Sequence, residues 1–147
     1  METPEDCGDT CVIDTKKLLE NRGAVIAGTG SDLLIFLTEG TYGLFDGPFN
    51  AIQIGNAVLA TEKNATIVLL DEGVYFGVKN QDPSEIELPN NTNYIQDFLE
   101  LGGLILALEP SLKKRGLLTG DLIEGITLID HSQLVQEIEK HKVSLTF

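Results

Sequence analysis

Residues 104–116, LILALEPSLKKRG, read as a buried strand that turns straight into the first turn of a short helix. An apolar run comes first. Pro110 suits a first helical position, Lys113, Lys114 and Arg115 complement the negative end of a helix dipole, and Gly116 supplies the stop. At such a junction the unpaired N–H groups of the first turn and the positive end of the dipole can hold an anion or a thiolate. Here, however, the strand ends in Leu108 and Glu109, and neither cysteine of the chain lies nearby.

The pattern on either side of this stretch is βαβ. Upstream, DLLIFLT is followed by a Gly-rich loop, an apolar helix over about 48–61, and the strand TIVLLD. The runs at 33–37 and 67–70 are continuously apolar, as strands of a parallel sheet covered on both faces should be. A long connection, EGVYFGVKNQDPSEIELPNNTN, then leads to a helix over about 94–101, with Gly102 and Gly103 as its stop. Downstream, GITLID gives a fourth strand and Asp130 or Ser132 caps a helix running to about Lys142. In the closing VSLTF, Val143, Leu145 and Phe147 alternate with Ser144 and Thr146, so one face is wet or meets another subunit. Residues 1–31 are set apart by an acidic start, a short helix expected over 15–21 and the run AGTGS; they read as a flexible arm ahead of one domain at 32–147.

Composition narrows the function. A net charge of −13 with ten Lys and Arg residues repels phosphate backbones, so nucleic acid is not expected as a partner; solubility, or steering toward a basic protein, explains the acidity. No apolar run approaches the roughly 20 residues that span a bilayer, and the acidic start does not read as a secretory signal, so no membrane association and a cytoplasmic location are expected. The loop EGTYGLFDGP at 39–48 follows a strand and opens a helix, where α/β sheets bind ligands. It lacks the Gly-Lys-Ser/Thr ending of a phosphate loop, and Glu39 and Asp46 would repel phosphates, so its glycines read as tight turns. Asp130, His131 and Ser132 are consecutive, and consecutive side chains diverge, so helix capping explains them better than a hydrolase triad. Tyr42, Tyr75 and Phe76 follow strand ends and would wall a shallow pocket or pack a subunit interface.

Three marks in order, the TYG turn (Thr41, Tyr42, Gly43), the DEGVY segment (71–75) and the junction with Ser111, Leu112 and Arg115–Gly116, resemble the DsrE/DsrF family of small sulfur-relay proteins. The DLIEG run and the alternating terminus extend the likeness over 32–147, and YIQDFLELGG with VSLTF looks most like the DsrF/TusC branch. The resemblance implies a three-layer α/β/α fold with a mainly parallel five-stranded sheet, and a homo-oligomer (trimer or hexamer) or an assembly with related subunits, docking a sulfur carrier protein. It also implies a persulfide cysteine at the junction, aligned with Leu108. Leucine cannot carry sulfur, and Ser111 would need an adjacent base. The expected product is therefore a non-catalytic scaffold or partner-binding subunit, with Thr41, Tyr42, Gly43, Tyr75, Glu109, Ser111 and Arg115 as its ligand or partner pocket.

The only thiols, Cys7 and Cys11 in CGDTC, allow three readings: idle cysteines, a redox or persulfide-carrying pair that reaches a junction, or half of a metal site completed elsewhere. Asp6 and Asp9 would raise rather than lower a thiol pKa, and two scattered histidines do not make a zinc signature, so no metal and no cofactor are expected. A small-ligand module using the loops after the strands is the remaining alternative.

Overall fold

A computed structural model describes residues 32–147; the arm, with Cys7, Cys11 and the helix expected at 15–21, lies outside the described residues. The apolar run Leu33–Leu37 forms β1 and pairs in parallel with β2, Ala65–Leu69, in the register Leu33↔Ala65 to Leu37↔Leu69. Strand β3, Leu104–Leu108, adds to β2, and β4, Thr127–Ile129, adds to β3. The chain then returns to the far edge, where β5, Val143–Thr146, pairs with β1. The order is β4-β3-β2-β1-β5 and every pairing is parallel, so the expected mainly parallel five-stranded sheet is entirely parallel.

Alternation along the strands divides the sheet residues into two clusters. Leu33, Ile35, Leu37, Ala65, Ile67, Leu69, Ile105 and Ala107 form the main core with α1, Gly47–Ala60, and α2, Asn91–Glu100. Leu34, Val68, Leu106, Leu108 and Ile129 form a second cluster, against which Leu134 of α4, His131–Glu139, packs. All of β2 is buried because it lies mid-sheet, which is why its sequence shows no polar alternation. α3, Glu109–Lys114, is the short helix of the junction.

Local chemistry fixes the helix ends. The Asn90 side chain accepts a hydrogen bond from Thr92 N at 2.9 Å, so α2 begins three residues before the expected Tyr94. Asp130 caps α4 through a reciprocal pair, Gln133 N to its Oδ1 at 2.8 Å and its own N to Gln133 Oε1 at 2.9 Å. That accounts for Asp130 without a triad. Gly116 follows α3 at φ +70°, the left-handed conformation that a helix stop favours.

One expectation needs revision. Part of the long connection is ordered as a 3-10 helix, Asp71–Gly77, whose Val74 and Phe76 insert into the main core. Phe76 is fully buried and so walls neither a pocket nor an interface. In β5, all four residues are exposed, and among the described residues this edge strand pairs with β1 alone.

Helices α1 and α2 meet at Gly55, where a Cβ would come within 2.7 Å of Phe98 Cε1. Phe98 is fully buried and cannot swing away. Gly55→Ala would gain up to about 1 kcal/mol of helix propensity but incur about 1–3 kcal/mol of overpacking, so a net loss of about 1 kcal/mol is expected in urea unfolding.

Candidate functional site

The C-terminal ends of β1, β2 and β3 open onto the loop at 38–46, the 3-10 helix Asp71–Gly77 and α3, the edge of a parallel sheet where ligands bind. Leu108 sits at the N-cap of α3 with extended backbone (φ −75°, ψ 119°) and is 7% exposed, its side chain lying in the second cluster with Leu34, Val68 and Ile129. The strand therefore does run directly into a helix. The residue at the turn is an inert apolar plug.

Around it the junction is held by side chains of α3. Ser111, buried, accepts a hydrogen bond on Oγ from Asp71 N at 3.0 Å, across 40 residues of sequence. Asp71 has φ +51°, an unfavourable region for a residue with a Cβ, so this bond helps to fix the entrance of the 3-10 helix. Arg115 donates from Nε and Nη2 to Glu72 Oε1 at 3.2 and 3.1 Å, and from Nη1 to Ser111 O at 3.1 Å. Its side chain is only 15% exposed while that of Glu72 is 58% exposed, so the pair is half-solvated and contributes about 1 kcal/mol at most. Glu109 is taken up by Lys113 at 2.7 Å on the surface. Ser111 thus works as a backbone acceptor. Ser111→Ala leaves the Asp71 N–H unpaired, and a loss of about 1 kcal/mol, read as a lower urea midpoint, is expected.

The other predicted residues assemble elsewhere on the same edge. Thr41 Oγ1 accepts from Asn91 Nδ2 at 2.8 Å, and Tyr42 OH accepts from Asn91 N at 3.0 Å. Tyr42 adopts φ +59° to make this turn. Asn91, buried at the start of α2, is the residue that sequence reasoning missed; only the Asn-rich end of the long connection pointed to it. Gly43 lines a cleft of about 240 Å³ with Tyr42, Phe45, Pro48, Phe49, Leu88 and Asn91. Tyr75 is half-buried on the 3-10 helix, its carbonyl accepting from Val78 N. Thr41, Tyr42 and Gly43 therefore gather on α2, whereas Ser111 and Arg115 gather on residues 71–72. Gly40, whose missing Cβ would lie 3.8 Å from Glu72 Cβ, joins the two groups.

Among the described residues no three His, Cys, Asp or Glu side chains are placed to hold a metal ion, and no helix is long and apolar enough to cross a membrane. Asp82, in the segment leading to Leu88, has its carboxyl held below the usual range by the side-chain and backbone hydrogen bonds of Ser84, so it stays charged.

An all-parallel five-stranded α/β sheet with a strand-to-helix junction at the C-terminal end of β3 defines the class of molecule. The chain belongs to the DsrE/DsrF-like family, whose model matches residues 32–147. Membership implies a function of the sulfur-relay type. Among its relatives, the uncharacterized protein MJ0989 of Methanocaldococcus jannaschii is 32% identical over 113 residues, covering 77% of this chain and 96% of that protein. The uncharacterized protein MK0008 of Methanopyrus kandleri is 30% identical over 112 residues, covering 76% and 90%. The fold is shared with the ychN protein from E. coli, at a TM-score of 0.72 and 21% identity over 79% of this chain and 98% of that one. A protein of unknown function from Methanobacterium thermoautotrophicum, MTH1491, superposes at a TM-score of 0.60 and 13% identity, covering 79% and 98%.

Proposed function

We propose that this protein is a non-catalytic, partner-binding subunit of a sulfur-relay assembly, with a DsrF/TusC-like pattern, working as a trimer or hexamer or beside related subunits. The observation that carries this reading is Leu108. At the position that the family resemblance gives to the relay cysteine, an apolar side chain is packed against Leu34, Val68 and Ile129, while the surrounding frame of Ser111, Asp71, Glu72 and Arg115 is complete. The hydroxyl nearest in sequence, Ser111, is engaged with the backbone, and no activating base contacts it among the described residues. Such a junction keeps its shape for docking and leaves group transfer to another cysteine.

The test is to incubate the protein with a persulfide donor and measure intact mass. An unchanged mass, under conditions that load a cysteine-bearing relative, is the expected result. An added sulfur atom that disappears in Cys7→Ser or Cys11→Ser would replace the scaffold reading with that of a carrier using the N-terminal thiols. Native mass tests the assembly, and a monomer would overturn that part.

A further inference from the structure

The loop after β1 and the segment before α2 both expose large apolar side chains: Leu44 is 95% exposed, Phe45 69%, Ile86 56% and Leu88 45%. Phe45 and Leu88 line the same cleft, and Leu44 and Ile86 add exposed apolar surface in the same two segments, a concentration that marks an interaction site. At about 240 Å³ the cleft is smaller than the roughly 300–1,000 Å³ of small-molecule pockets, and it suits a single anchoring side chain. The charges that these two segments carry have one sign. Asp46 lines the cleft, Glu85 and Glu87 alternate with Ile86 and Leu88, Asp82 precedes them, and neither segment, 39–49 or 82–91, holds a Lys, Arg or His.

We infer that this patch docks a basic segment of another protein, which inserts one aliphatic or aromatic side chain into the Tyr42–Phe45–Leu88 cleft and sets lysines or arginines against Asp46, Glu85 and Glu87. The inference rests on the partner-binding reading above and names the surface and the chemistry of the partner. A second copy meeting this face with the same face would bring like charges together, which argues against self-association here. Gly40 of the same loop lies against Glu72, which holds Arg115, so the loop that lines the cleft also touches the frame of the junction.

The test uses the full chain and a dye-labelled peptide with a central Leu-Phe flanked on each side by paired lysines, followed by fluorescence anisotropy at low and high salt. Binding that weakens with salt is expected. It should be lost when the lysines are replaced by glutamates, and should fall roughly tenfold or more for a peptide with an Ala-Ala centre and for the Phe45→Ser, Leu88→Ser double variant. These side chains are largely or partly solvated, and a melting curve confirms that the variant is folded. Leu118→Ser, which removes another exposed apolar side chain in a different loop, should bind as the parent does. Hydrogen exchange with bound peptide should show protection at 39–48 and 84–91. No binding, equal binding by the Ala-Ala peptide or by the double variant, or protection confined to another surface would each overturn the docking site. None of these outcomes concerns sulfur loading, so failure here is separate from failure of the non-catalytic reading, which the mass measurement decides.

Discussion

Gly73→Ala should destabilise the protein by about 3 kcal/mol or more, lowering the urea midpoint sharply or leaving the chain insoluble. Gly73 is buried in the 3-10 helix Asp71–Gly77, where its N–H donates to Leu70 O at 2.8 Å, and its α-carbon is pressed against the end of β1. A Cβ there would collide with the carbonyl oxygen of Leu37, a backbone atom in the middle of the sheet edge, and not with a side chain that can turn aside. Leu37 O already accepts from Leu70 N at 2.9 Å, so β1 cannot retreat without giving up that bond. The alternative is to lift the 3-10 helix, which would withdraw Val74 and Phe76 from the core and pull Asp71 and Glu72 away from Ser111 and Arg115. Either route exceeds an ordinary overpacking cost of about 1–3 kcal/mol. A Gly73→Ala protein with an unchanged midpoint would show that this helix is not anchored on β1.

The same residue shows where sequence reasoning stopped. Continuous apolar runs at β1, β2 and β3 reveal the parallel sheet because buried central strands need no polar alternation, and Pro110, the basic last turn of α3 and Gly116 after it mark the junction. The need for glycine at position 73 comes instead from a contact with Leu37, 36 residues away in number but adjacent in space. Local pattern carries no trace of it. For this reason the segment after β2 reads as an irregular loop and Phe76 as a surface aromatic, when the close approach turns Phe76 inward. The binding edge behaves likewise. Thr41 and Tyr42 are legible as a turn motif, but their partner Asn91 lies 50 and 49 residues on, respectively, and only folding brings it there. Leu108 was the reverse case: its position came from the junction pattern, and its chemical inertness from its side chain alone.

Restoring the missing side chain should convert the junction from inert to sulfur-accepting. In a Cys7→Ser, Cys11→Ser background, Leu108→Cys is expected to gain one sulfur atom from a persulfide donor, where the background protein gains none. The step is balanced without an outside oxidant: the introduced thiolate attacks the outer sulfur of the donor persulfide, a new S–S bond forms, the donor S–S bond breaks, and the donor leaves as a thiolate. The N-cap position of α3 favours the thiolate form, since the N–H groups of its first turn have no helical partner, although Pro110 withholds one of them. Glu109 would oppose the charge, but its carboxylate is paired with Lys113 at 2.7 Å. Exchanging leucine for the smaller cysteine should cost about 1–2 kcal/mol, which leaves the fold intact. Position 108 is 7% exposed, so access to the new thiol has to be measured as well as its loading. Thermal melting and alkylation by a small reagent check folding and access separately. A folded, alkylatable Leu108→Cys protein that takes no sulfur would mean that the Ser111–Arg115 frame has lost more than its nucleophile; loading would show that the leucine alone separates a docking subunit from a relay.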